Sequence, residues 1–159
     1  MVRATENAKG ISADELLKLE NQLCFPLYAC SKEIVRRYTP LLDELGLTYT
    51  QYLTMMALWE YGSMSVGELG HRLYLDSGTL TPMLKKMEAK GLLERKRSTE
   101  DERRVEIALT PAGKDLKKEA AKVPIEMGRC VDLAPEDAIE LVRLLHKVLD
   151  GLGDDEPRG

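Results

Sequence analysis

The chain has 159 residues, enough for one domain with a real hydrophobic core, and 43% of them are apolar although aromatics are few. No run is long and apolar enough to span a membrane and the polar N-terminus lacks a signal-peptide pattern, so a cytoplasmic location is expected. A net charge of -4 and a pI of about 5.3 argue against indiscriminate adhesion to nucleic acid.

Residues 1–11 carry little pattern and read as a mobile tail. Residues 12–47 read as N-terminal helices. Ser12-x-x-Glu15 has the form of a capping box, and Leu16, Leu19, Leu23, Leu27 and Ile34 follow at helical spacing, which predicts a long first helix. Pro26 interrupts it, as a kink or as a new start just before the proline, and Cys24 sits at that irregularity. Thr39-Pro40 opens a short segment ending near Gly46.

Residues 48–110 have the order of a DNA-reading module. Thr48-x-x-Gln51 caps a helix bearing Tyr52, Met55, Met56 and Trp59. Ser65-x-x-Glu68 caps another, with Val66, Leu69 and Leu73 on one face. The turn Leu75-Asp76-Ser77-Gly78 leads to a second helix. There Leu80, Leu84 and Met87 face inward, while Gly78, Thr79, Pro82, Lys85 and Lys86 lie opposite. Pro82 runs against the rules for a helix interior. Gly91 is placed to end this helix in a left-handed conformation. Leu92 to Arg97 then reads as a strand, residues 98–104 as a charged hairpin tip, and Val105, Ile107 and Leu109 as the buried side of the partner strand.

Thr110-Pro111 resembles an N-cap with proline in the first turn, and residues 111–150 read as C-terminal helices. The first runs through Leu116 and Val123 and is disturbed at Pro124. The second starts at Pro135 with an apolar stripe of Ile139, Val142, Leu145 and Leu149. Residues 151–159 form a polar tail. The predicted fold is mainly α with a small β-hairpin wing: a winged helix-turn-helix plus N- and C-terminal dimerisation helices. A two-fold homodimer would set two recognition helices ~34 Å apart on operator DNA, as half-sites one helical turn apart require. Intramolecular packing of the terminal helices is the alternative.

From Lys85 to Arg104 there are eight Lys/Arg against five Asp/Glu, a basic stretch in an acidic chain. A solvated hairpin accounts for such charges, but beside these helices specific docking on double-stranded DNA accounts for them better. Lys85 and Lys86 are candidates for phosphates or guanine edges, and Ser77 and Thr79 for bases or backbone. Arg103 at the hairpin tip is a candidate minor-groove probe, while Arg95, Arg97 and Arg104 position the duplex.

Three cysteines in a chain expected to be cytoplasmic do not make a disulfide scaffold. Cys30 reads as a buried small hydrophobe. The same reading is open to Cys24, but unbonded amides near a helix start favour negative charge on sulfur there. Cys130 falls in an expected irregular stretch, Gly128 to Ala134, where it is either a resolving thiol or an incidental loop cysteine. His71 and His146 are isolated and no Cys-x-x-Cys occurs, so no metal and no cofactor are expected. No Gly-rich phosphate loop or triad-like pattern points to an enzyme.

With its helix-turn-helix and wing, Asp101-x-Arg103 at the wing tip and Leu109-Thr110-Pro111-Ala112-Gly113 leading out, the chain resembles MarR-type transcriptional regulators from about Leu16 to Leu149. The resemblance implies that Arg103 enters the minor groove and that Asp101 helps hold it. A narrower resemblance, to the organic-hydroperoxide-sensing OhrR-type branch, rests on Glu20-Asn21-Gln22-Leu23-Cys24-Phe25, on Leu27-Tyr28-Ala29, and on Leu73-Tyr74-Leu75-Asp76-Ser77-Gly78-Thr79-Leu80-Thr81-Pro82. It implies that Cys24 is the peroxide-reactive thiol and that Tyr38 and Tyr49 hydrogen-bond its reduced form. It also implies that either Cys130 of the other subunit or a small-molecule thiol resolves the oxidised sulfur. The expected function is therefore a homodimeric repressor released from its operator by organic hydroperoxide. A MarR-type regulator released by a non-covalent ligand and a thiol peroxidase are the alternatives.

Overall fold

The computed structural model describes residues 12–97 and 105–152. The tail assigned to residues 1–11, the hairpin tip with Asp101, Arg103 and Arg104, and the tail from residue 153 lie outside the described residues.

The N-terminal region is not one long helix. Helix α1 (Ala13–Leu16) is a single turn, a 3-10 turn follows at Leu19–Asn21, and α2 runs from Cys24 to Asp43. Ser12 Oγ accepts from the Glu15 amide at 3.3 Å, and the Glu15 carboxylate is engaged by Lys18. The break has a local cause. Asn21 Nδ2 donates to the Glu15 carbonyl at 2.7 Å, and Gln22 Nε2 donates to the Leu16 carbonyl, so side chains take carbonyls that a continuing helix would have used. The new helix starts two residues before Pro26, the second of the two outcomes expected there, and at that position the missing N–H has no intrahelical acceptor to lose. Pro40 starts no new segment, contrary to the sequence expectation. α2 continues through it, with Thr39 Oγ1 bonded to the Val35 carbonyl and Leu42 buried in the core.

Helix α3 (Tyr49–Tyr61) begins with both bonds of the Thr48/Gln51 capping box and buries Tyr52, Met55 and Leu58. Strand β1 (Met64–Ser65), α4 (Val66–Leu73), α5 (Ser77–Ala89), β2 (Leu93–Arg97) and β3 (Val105–Leu109) complete the winged module. The sheet is antiparallel in the order β1-β3-β2, with Met64 opposite Ile107 and Leu93 opposite Leu109. Two residues are too few to show a period, so β1 was not legible in the sequence. Leu69, Leu80, Leu84, Met87, Leu93 and Ile107 form the centre of the module and join Met55, Leu58 and Leu42 in one core.

After β3, α6 (Pro111–Ala120) and α7 (Lys122–Cys130) meet at Ala121, so the disturbance falls three residues before Pro124. α7 packs on α2 with Val123 and Met127 buried. Helix α8 (Pro135–Leu152) starts at the expected proline and extends past the expected tail boundary. It buries none of its residues within the chain, and Ile139 is 71% exposed.

The stretch from Leu109 to Gly113 ties module to helices. Thr110 Oγ1 accepts from the Gly113 amide at 3.1 Å and donates to the Gly91 carbonyl at 2.6 Å. Pro111 takes the first helical position. Gly113 is required sterically, because a Cβ there would lie 2.0 Å from the Leu92 carbonyl oxygen. Gly113→Ala must therefore push α6 away from the wing, and a destabilisation of ~1–3 kcal/mol or more is expected in urea unfolding.

Candidate nucleic-acid interface and thiol site

Helix α5 is built to present one face. Asp76 is its N-cap, with Oδ1 accepting from the Thr79 amide and Oδ2 from the Thr79 hydroxyl, each at 2.8 Å. These bonds hold the Asp76 carboxyl below its ordinary value, Thr79's hydroxyl bond contributing most. Ser77 and Gly78 thus belong to the first helical turn, and the turn proper is Tyr74-Leu75, with Tyr74 in the left-handed region at φ 55°. The far end closes as the sequence indicates. Gly91 has φ 71°, its amide bonds the Glu88 carbonyl, and the Leu92 amide bonds the Met87 carbonyl.

At 100° per residue Gly78, Thr79, Pro82, Lys85 and Lys86 fall within ~120° of one another, and all five are exposed. Leu80, Leu84 and Met87 on the other side are buried. Pro82 is accommodated in the first half of α5, where the neighbouring Thr81 hydroxyl bonds the Ser77 carbonyl at 2.7 Å. Thr79 spends its hydroxyl hydrogen on Asp76, so only its lone pairs remain for a DNA contact. Among the described residues Lys85, Lys86 and Arg97 carry no ion pair.

Arg95 has a partner that its charge alone does not specify. Its Nε and Nη2 reach Glu88 Oε2 at 2.9 and 2.7 Å, and its amide donates to Oε1 at 3.1 Å. These contacts clamp β2 to α5. The sequence could not show this pairing, since residues seven apart across a helix end and a strand have no fixed spacing rule. Lys96 is paired with Glu94. Asp101, Arg103 and Arg104 lie outside the described residues.

The thiol site is distributed along α2. Cys24 is its first residue, with no side chain capping that end, so first-turn amides are open beside the sulfur. Cys24, Cys30 and Cys130 are all free and exposed. Cys30 is therefore not the buried hydrophobe expected of it: the first half of α2 has no cover within the chain. Cys130 is not in a loop either. α7 holds it as the last helical residue, and the irregular stretch begins at Val131.

Tyr38 and Tyr49 do come together, with ring centroids 4.9 Å apart, and Tyr52 lies 6.0 Å from Tyr38. Burial raises both phenols, and at Tyr38 the neighbouring Tyr49 and Tyr52 add to the effect. Both are protonated donors at neutral pH. Cys24 of the same chain cannot receive them. It is fourteen positions from Tyr38 on one helix, ~21 Å at 1.5 Å per residue. A Cys24–tyrosine contact requires two chains. Behind the tyrosines, Tyr52 stands 6.5 Å from Trp59, whose Nε1 donates to the Gly113 carbonyl at 2.9 Å. No group of His, Cys, Asp and Glu among the described residues could hold a metal ion.

A sequence profile described as "Transcriptional regulator SarA/Rot" matches residues 36–120. The chain belongs to that family of transcriptional regulators. It is 51% identical over 136 residues to the "Organic hydroperoxide resistance transcriptional regulator" of Bacillus subtilis strain 168, covering 86% of this chain and 92% of that one. Among solved structures it is similar to AbfR, a protein of Staphylococcus epidermidis. Reduced AbfR bound to DNA superposes with a TM-score of 0.71 at 32% identity, covering 86% of this chain and 96% of that one. Disulfide-formed AbfR gives a TM-score of 0.61 at 34% identity, with the same coverages. The regulator is thus a DNA-binding winged-helix protein, mainly helical with a small antiparallel sheet. No helix among the described residues is long and apolar enough to cross a membrane.

Two outcomes separate the basic residues. Lys86→Met should lower the slope of log affinity against log salt by about one, whereas Arg95→Met should leave that slope unchanged. The clamp also has an acid signature. Hydrogen bonds from Arg95 hold Glu88 below its ordinary carboxylate value. A depressed folded-state value means the stabilisation is complete above pH ~4.5 and is lost as pH falls through the lowered value. In urea unfolding, the gap between wild type and Glu88→Gln should close only at the acid end.

Proposed function

We propose that this regulator is an organic-hydroperoxide-sensing repressor of the OhrR-type branch of the MarR regulators. It binds operator DNA as a reduced homodimer in the cytoplasm and releases it on oxidation of Cys24. The observation that supports this most is the separation of Cys24 from its own tyrosines. An exposed thiol at one end of α2 and a buried pair of phenolic donors ~21 Å along the same helix become one site only when a second copy brings its tyrosines to the thiol. The uncovered apolar side chains of α8 and of the first half of α2, among them Phe25, Tyr28 and Val142, supply surface for that second copy. The B. subtilis relative's name and the reduced, DNA-bound and disulfide-formed states of AbfR point the same way.

The chemistry balances within these groups. The Cys24 thiolate attacks the distal oxygen of the hydroperoxide, and the O–O bond breaks. The alkoxide leaves and takes a proton to become the alcohol, leaving Cys24 as sulfenic acid. The thiol of the partner's Cys130 then attacks the sulfenic sulfur, forming the S–S bond and releasing water. Two thiols have given two electrons to one peroxide. Oxygenation of Cys24 removes the acceptor that Tyr38 and Tyr49 bonded, and the bridge draws the α7 end of one subunit toward the α2 start of the other. The separation of the two recognition helices no longer matches the half-sites. Lys85 and Lys86 contact phosphates or guanine edges, Ser77 and Thr79 add polar contacts, and Arg103, with Asp101 holding it, reaches the minor groove. Arg97 and Arg104 position the duplex.

A ligand-released regulator is the second reading. It has a cleft of about 370 Å³ between α3 and α4 in its favour, lined among others by Leu53, Met56, Tyr61, Arg72 and Tyr74. One experiment separates the two. Wild type, Cys24→Ser and Cys130→Ser are treated with one equivalent of an organic hydroperoxide, then examined by non-reducing gel, peptide mass mapping and operator binding. The expected result is a covalent dimer linked Cys24 to Cys130 in wild type only, with loss of DNA binding. A Cys24 that stays a free thiol, with DNA still bound, would overturn the redox reading. Repeated turnover of peroxide with added reductant would make the protein a peroxidase.

A further inference from the structure

The end of α5 is tied to the turn that follows α2, the helix that carries Cys24. Lys90, the C-cap of α5, sends Nζ to the backbone carbonyl of Gly46 at 2.6 Å, across 44 positions of sequence. Gly46 lies in the turn that closes α2, where its own amide bonds the Asp43 carbonyl and the Leu47 amide bonds the Leu42 carbonyl. Leu42 and Leu47 are buried on either side, so this turn is fixed to the core and does not hang as a free loop. Two residues earlier, Glu44 pairs with Lys122 at 2.8 Å, the first residue of α7. One short junction, residues 42–48, therefore holds α2, which begins with Cys24, α7, which ends with Cys130, and the end of α5. Each thiol sits at the far end of its helix, ~30 Å away for Cys24 and ~12 Å for Cys130.

We propose that Lys90 is a positioning residue: it couples the α2–α7 junction to the recognition helix, so that displacement of the thiol-bearing helices is passed to α5. The inference rests on the redox reading above. Lys90 is suited to the task because its ammonium, carried on the C-cap of α5, donates to a backbone carbonyl in the turn that follows α2. The other polar links of α5 lead elsewhere: Asp76 is within its own cap and Glu88 goes to Arg95 on β2, while the buried face of α5 shares the core with Leu42 of α2. Without Lys90 the module can keep its fold and its DNA-facing side while losing that polar tie to α2.

The test compares wild type, Lys90→Met, Lys90→Ala and Lys90→Arg. For each, operator affinity is measured fully reduced and after oxidation by an organic hydroperoxide, with Cys24 oxidation followed by mass. In wild type the two affinities should differ on the order of a hundredfold. Lys90→Met should oxidise at Cys24 as wild type does and bind the operator within about threefold of wild type when reduced. It should nevertheless hold on to DNA when oxidised, so that the ratio shrinks at least tenfold; Lys90→Arg, which still donates to a carbonyl, should keep the ratio. Lys90→Ala should behave as Lys90→Met and replaces it should the longer side chain prevent folding. A Lys90→Met ratio equal to wild type overturns the coupling role. So does an equal loss in both states, which would make Lys90 a DNA contact or a purely structural cap. If wild type shows no dependence on oxidation, the redox reading itself fails and takes this inference with it.

Discussion

The contact that most of the architecture depends on is the approach of Gly113 to the Leu92 carbonyl. It brings the start of α6 against the chain just after the recognition helix, at a distance only a residue without a side chain permits. Around it Thr110 bonds both ways, to Gly91 and from Gly113, and Trp59 of α3 bonds the Gly113 carbonyl. Four elements are thereby fixed at one point: α3, the end of α5, β3 and α6. The start of β2 and the end of β3 are thus held to the end of α5. The Glu88–Arg95 pair reinforces this from the other side by joining α5 to β2.

What could be read from the sequence follows the range of the forces involved. The capping boxes at Thr48 and Ser65, the left-handed Gly91 and the buried face of Leu80, Leu84 and Met87 are local, and spacing alone gave them correctly. The readings that failed depended on partners remote in sequence or on competition between side chain and backbone. Asn21 and Gln22 ended a helix whose apolar spacing continued, and buried Leu42 carried a helix through Pro40. The Glu88–Arg95 pair is likewise a contact between the end of α5 and β2 that no spacing rule announces.

The candidate thiol site was legible only as residue types, and the family resemblance put Cys24, Tyr38 and Tyr49 together. The helix lengths add a condition that neither spacing nor resemblance stated: the grouping cannot exist in one chain. Cys30 is exposed and Cys130 ends α7, and the apolar residues of α8 are not buried within this chain. A sequence pattern of apolar residues does not say what will cover them.

Trp59 is the only tryptophan in the chain. Its indole N–H is bonded to the carbonyl at the junction of wing and α6, and its ring stands 6.5 Å from Tyr52 within the tyrosine cluster. The protein therefore contains a single tryptophan fluorophore, at the point where α3 meets α6. Its emission wavelength reports how wet that junction is. Movement at the core of the regulator can be followed optically in the unlabelled wild-type chain, without the uncertainty over which tryptophan is speaking.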